Sequence, residues 1–150
     1  MDQERNNFRS AEKWLYEYKR NLAGLKVLRE DLWVAQAGFD VHTQNYQYTF
    51  NHNGEVSSPV HARVERIESL EARIRWLERY TTPITRLIED LTAPEVLEYS
   101  ENKALMNILR LMYFGKNLPE MIIDELKITR RTFFRQRREL VNMAISYLAL

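Results

Sequence analysis

The sequence predicts an all-α protein: a long N-terminal helical hairpin followed by a C-terminal helix–turn–helix domain. Three observations predict it. Apolar residues recur at alternating spacings of four and three over two long stretches, the pattern of helices that bury one stripe. Glycine and proline number only four each in 150 residues, too few for the many turns of a sandwich or barrel. The last third holds two short helical patterns around a tight connection, and the second of them is strongly basic. The expected division is 1–92 for the hairpin and 93–150 for the C-terminal domain.

The first element runs from Ser10 to about Ala37. Ala11, Leu15, Tyr18, Leu22, Leu25 and Leu32 form its heptad seam, with Arg29 in the gap and Trp14 and Leu28 widening it. Ser10 suits an N-cap, because its hydroxyl can accept a free amide of the first turn. Gly38 suits a C-terminal stop.

Residues 38–58 carry turn formers and no helical period. Tyr46, Tyr48 and Phe50 alternate, and Asn53-Gly54 is a tight-turn pair. A surface loop is expected, because an isolated two-stranded ribbon is marginal in water; a small hairpin is the alternative.

A second long helix starts near Pro59, a residue suited to the first helical position. Ile67, Leu70, Ile74, Leu77, Thr81, Ile84, Ile88 and Leu91 keep the heptad spacing. Pro83 predicts a kink or break at Thr81-Thr82, since its ring removes an amide donor and clashes with the preceding turn. The two seams are expected to pack together antiparallel, with self-association through the same faces as the competing arrangement. A third helical region follows from Pro94 to Phe114, striped by Leu105, Ile108, Leu109 and Met112, and Gly115-Lys116-Asn117 ends it.

In residues 118–140 Asn117 is the expected cap of a short helix reaching Leu126, with Pro119 in its first turn. Lys127-Ile128 makes the connection, and Thr129 caps a second helix over 129–148. On a wheel of about 100° per residue, Phe133, Leu140, Ala144 and Leu148 fall on one side and Arg131, Arg135 and Arg138 nearly opposite. Arg137 falls inside the apolar stripe, where pairing with Asp124 or Glu125 or snorkelling is expected.

Charge singles out the same segment. The chain is nearly neutral at +1. Residues 1–100 hold 13 Lys and Arg against 16 Asp and Glu, and residues 101–150 hold 9 against 5. Leu126 to Arg138 alone carries six cations and no acid. Such asymmetry points to a polyanionic partner. A recognition helix needs one face held by a core and another presenting arginines to guanine edges or phosphates.

The run from Ile108 to Ala144 resembles the helix–turn–helix of sigma-factor region 4, in particular that of the RinA/ArpU-type late transcription regulators of phages and prophages of Gram-positive bacteria. The matching residues are Leu111, Tyr113, Phe114 and Gly115; then Glu120, Ile122, Glu125 and Leu126; then Ile128, Thr129, Thr132, Phe133 and Arg135. Two positions depart from the pattern: Ile123 stands at a usually small residue and Lys127 at the turn glycine. Both bear on the angle between the two helices. The resemblance implies sequence-specific DNA binding and activation of phage late operons.

The DNA-binding residues expected are Lys127, Thr129, Arg130, Arg131, Thr132, Phe134, Arg135 and Arg138. Arg131 and Arg135 are candidates for base contact, and Lys127, Arg130 and Arg138 for phosphate. The expected partner is double-stranded DNA, with host RNA polymerase and a homo-oligomer through the N-terminal helices as further candidates. A small terminase-like DNA-packaging subunit and a protein–protein adaptor with a structural helix–turn–helix are the alternative functions.

Other classes find little support. The chain has no cysteine, which excludes disulfide frameworks and thiolate metal sites and fits a reducing compartment. His42, His52 and His61 lie ten and nine apart, wider than the usual zinc pairs, so neither metal nor cofactor is expected. Gly-rich phosphate loops, HExxH and GxSxG are absent, so an enzyme is not expected. No run of 18 apolar residues occurs and the N-terminus is polar, so the expected place is the cytoplasm, away from membranes, and the resemblance implies that of a bacterial host.

Overall fold

A computed structural model describes residues 1–41, 49–50, 56–57 and 59–150; for 38–41, 49–50, 56–57 and 97 it describes the backbone. The described chain is helical almost throughout. Helix α1 spans Asp2–Val41 and α2 spans Pro59–Thr92. Between them, β1 (Thr49–Phe50) pairs antiparallel with β2 (Val56–Ser57), with Thr49 opposite Ser57 and Phe50 opposite Val56. Part of the expected loop is thus a two-residue ladder. His42, Tyr46, Tyr48, His52 and Asn53-Gly54 lie outside the described residues. Next come α3 (Pro94–Leu97) and α4 (Ser100–Ile108), which runs into a π-helical turn over Leu109–Phe114. Helices α5 (Pro119–Leu126) and α6 (Arg130–Leu148) complete the chain.

Helix α1 departs from expectation at both ends. It begins eight residues before Ser10, with Asp2 and Glu4 in its first turn, where carboxylates favour the positive end of the helix dipole. It also passes through Gly38, because a helical glycine costs only about 1 kcal/mol relative to alanine and stops a helix only when nothing else continues it. Its buried seam is shifted too. Leu22 is exposed while Asn21 is buried, and the inward stripe is Trp14, Tyr18, Asn21, Leu25 and Leu28. That set keeps heptad spacing through Asn21, a position whose polar side chain hides it from a hydrophobicity reading.

Helix α2 is continuous through Pro83; the expected break does not occur. Burial of the surrounding stripe holds the helix together there. Thr81, Ile84, Leu87 and Leu91 are buried, and the Thr85 hydroxyl donates to the Thr81 carbonyl at 3.1 Å while bonding Tyr18 Oη at 2.9 Å. The third helical region is split at residues 98–99, where Tyr99 N–H bonds the Val96 carbonyl and the Asn102 side chain bonds the same oxygen at 3.1 Å.

The chain forms two compact units, one of residues 1–21 and 79–150, the other of residues 22–78. This differs from the division expected at 92/93. The first unit has a large continuous core. Ala11, Leu15 and Tyr18 of α1 and Ile84, Leu87 and Leu91 of α2 share it with Leu105, Ile108, Leu109, Met112, Tyr113, Ile122, Phe133, Leu140, Val141 and Ala144. Trp14 and Tyr80 stack within it, centroids 3.9 Å apart. A C-terminal domain cut at residue 93 would expose the surface that these helices cover. The second unit is a two-helix arrangement around Leu25, Leu28, Leu70 and Ile74, edged by Leu32, Ala35 and Leu77. In the first unit α1 and α2 meet through Tyr18 and Thr85, and in the second through Arg29 and Glu78.

Candidate nucleic-acid interface

The α5–α6 pair is built by four local devices. Pro119 starts α5 at a position where no amide donor is needed. Leu118 precedes it in extended geometry and offers no side-chain cap. Asn117 is therefore not the cap of α5; its amide group instead bonds the Leu111 carbonyl at 3.1 Å and closes the π-helical turn before it. Gly115 fits that turn because a Cβ there would lie 2.9 Å from the Leu111 carbonyl oxygen. Its own φ is −80°, and the left-handed residue is Lys116, at φ 57°.

Helix α5 ends on Lys127, which is left-handed at φ 52°. Lys127 N–H bonds the Asp124 carbonyl and Ile128 N–H bonds the Ile123 carbonyl at 3.3 and 3.2 Å. These are the paired bonds of a Schellman closure. A lysine here adopts the conformation that a glycine would adopt without strain. Ile123, the other departure from the family pattern, is half-buried and packs on the same core as Ile128. Thr129 caps α6 as expected: its Oγ1 accepts from Thr132 N–H at 3.2 Å and donates to Thr132 Oγ1 at 2.9 Å.

Helix α6 has a buried and an open face. Phe133, Leu140, Val141 and Ala144 are fully buried, with Ile122 of α5 beside them. Arg131, Arg135 and Arg138 are exposed, and with Thr132 and Phe134 they line one shallow groove. None of these three arginines pairs with a carboxylate among the described residues. Their planar guanidinium forks can donate to phosphate oxygens or to paired acceptors on a base edge. Lys127 and Thr129 are exposed at the start of this surface. Phe134 is 36% exposed, edge-on to Phe133, with the guanidinium of Arg130 5.4 Å and that of Arg137 5.9 Å from its ring centre.

The other two arginines of the helix are engaged. Arg130 bonds Glu120 of α5 at 2.8 Å on the surface, so an anion would have to displace a carboxylate. Arg137 turns inward, and its partner is neither Asp124 nor Glu125. Its Nε and Nη2 bond the two oxygens of Glu12 in α1 at 2.8 and 3.0 Å. Tyr113 Oη donates to the same carboxylate at 2.8 Å. The Glu12 hydrogen bonds push the Arg137 pKa up from its usual value, and burial followed by the Glu12 charge pushes that of Tyr113 up. Glu12 escaped the sequence reading because its partner lies 125 residues away. The available signal was a pair of misplaced charges: Glu12 next to buried Ala11 in one stripe, and Arg137 inside another.

A second cross-chain tie joins the Tyr147 hydroxyl to Asp90. His61 sits in α2 and contacts Glu65 at 3.1 Å. Among the described residues no three His, Cys, Asp or Glu side chains gather as metal ligands, and no helix is long and apolar enough to cross a membrane. No family model, curated protein or solved structure matches the chain.

Proposed function

We propose that the protein is a sequence-specific DNA-binding transcription regulator, and that α5–α6 acts as a helix–turn–helix with α6 in the major groove. One observation carries this reading. Of the five arginines on α6, the two that could disturb the helix's placement are tied to carboxylates, and the three left unpaired share the face opposite the core. Arg131 and Arg135, near the capped N-terminus, reach base edges; Arg138 and Lys127 meet phosphates. Arg130 joins them by exchanging Glu120 for a phosphate oxygen. The resemblance to RinA/ArpU-type regulators makes activation of phage or prophage late genes the specific role, in a bacterial cytoplasm and with host RNA polymerase as a candidate partner.

The test is a gel shift on DNA flanking the protein's own gene, repeated over a range of salt. Affinity should fall steeply with salt, because phosphate neutralisation releases counterions. Arg131→Ala or Arg135→Ala should cost about 1–3 kcal/mol on the specific site and less on random duplex. Equal losses on both would reduce these arginines to phosphate contacts. Absence of binding to any duplex at low salt would overturn the reading.

A further inference from the structure

The outward face of α1 over residues 22–37 carries apolar side chains that nothing among the described residues covers. Leu25, Leu28, Leu32 and Ala35 are spent inward on Leu70, Ile74 and Leu77. On the opposite side Ala23, Val27, Glu30, Val34 and Ala37 recur at alternating spacings of four and three, a second seam on the same helix. Val27 is 55% exposed, Val34 59% and Trp33 70%. Trp33 touches no ring or cation, and Lys26 and Glu30 have no ion-pair partner among the described residues. Lys26, Arg29, Glu30 and Trp33 line one groove there. They stand at i, i+3, i+4 and i+7, the four corners of a hole that accepts one side chain from a facing helix.

We propose that this face pairs antiparallel with the same face of a second copy of the chain. The residue order is complementary to its own reverse. About a two-fold axis midway between residues 29 and 30, Lys26 comes level with the partner's Trp33 and Arg29 with the partner's Glu30. The same Lys26 lies within one turn of the partner's Glu30. Each ammonium is then held between an indole face and a carboxylate of the other copy, a cation–π contact and an ion pair together. The two Glu30 side chains meet near the axis, and each is flanked by the partner's Lys26. Only the antiparallel arrangement brings Lys26 beside the partner's Trp33; a parallel one sets Lys26 level with Lys26 and Trp33 with Trp33. The seam spans about four helical turns. That places it at the small end of specific interfaces.

Sedimentation velocity on the full chain, from about 1 μM to about 1 mM, reads the equilibrium directly. The expected result is a monomer–dimer equilibrium. Trp33→Ala should weaken it by about tenfold or more, with an unchanged melting curve because Trp33 is exposed. Lys26→Glu should weaken it as well, and Lys26→Arg, which keeps a cation against the indole, should preserve it. A monomer at every concentration overturns the proposal. So does a dimer indifferent to Trp33→Ala and Lys26→Glu, an assembly larger than a dimer, or a loss of association in Lys26→Arg as large as in Lys26→Glu. None of these outcomes depends on whether the protein binds DNA.

Discussion

The two compact units spend their apolar residues differently. The unit of residues 1–21 and 79–150 closes a core from five of its helices, burying Tyr113 and Phe133 completely and drawing the charged pair Glu12–Arg137 partly inside. Among its described residues, the unit of residues 22–78 buries Leu25, Leu28, Leu70 and Ile74 between two long helices, and Trp33, Val27 and Val34 are exposed. Two helices can bury only one stripe each, whereas a helix surrounded by others is covered from several sides. The first unit therefore holds the exposed face of α6 against a packed core, and the second leaves part of α1 uncovered by any described residue.

The largest test of this contrast is to empty each core. Phe133→Ala should cost about 3–5 kcal/mol, since a closed core cannot collapse into the space. Leu28→Ala should cost only about 2–3 kcal/mol, the low end for such a change, because two helices can approach one another. Urea titration of both variants checks the ranking; equal losses would show that the second unit is packed as rigidly as the first.

A smaller effect is expected from the buried polar tie. Glu12→Ala strands the Arg137 guanidinium and the Tyr113 hydroxyl together. The loss should be about 2–4 kcal/mol, below the full value for a buried pair because Arg137 keeps 26% of its side-chain exposure. Thermal melts of this variant and of Glu120→Ala, which breaks the exposed Arg130 pair, separate the two cases. The second should lie within about 1 kcal/mol of the parent.

The smallest effects are two opposite glycine exchanges. In the second unit a Cβ on Gly24 would meet Leu77 Cδ1 at 3.9 Å, an ordinary contact. Gly24→Ala should therefore stabilise by about 0.5–1 kcal/mol, through helix propensity and a less free unfolded chain. In the first unit Lys127 holds φ 52°, and Lys127→Gly should stabilise by up to about 1 kcal/mol by relieving the left-handed conformation. Chemical denaturation measures both; a loss in either would mean that the side chain replaced makes a contact worth more than the backbone term.

Much of this was legible from local pattern. The α2 stripe Leu70, Ile74, Thr81, Ile84 and Leu91 is buried as its spacing predicts, and the Thr129 cap follows from one hydroxyl and one free amide. The split of α6 between Phe133, Leu140 and Ala144 inside and Arg131, Arg135 and Arg138 outside also follows from helical periodicity alone. The misses share a cause. At Pro83 and Asn21 a local preference of roughly 0.7–3 kcal/mol was outweighed by burial of the stripe around them, and at Gly38 the cost of about 1 kcal/mol was too small to end the helix.

The sequence by itself determined which segments are helical, which faces of α2 and α6 turn inward and where the positive charge collects, because these depend on spacing within one helix. Only the tertiary structure decided that the N-terminal turns of α1 belong with the C-terminal helices, and that Arg137 answers to Glu12. Those pairings join residues more than a hundred positions apart. Spacing cannot encode such a contact; it arises when several faces compete for the same buried surface and the set that leaves no charge or apolar area stranded prevails.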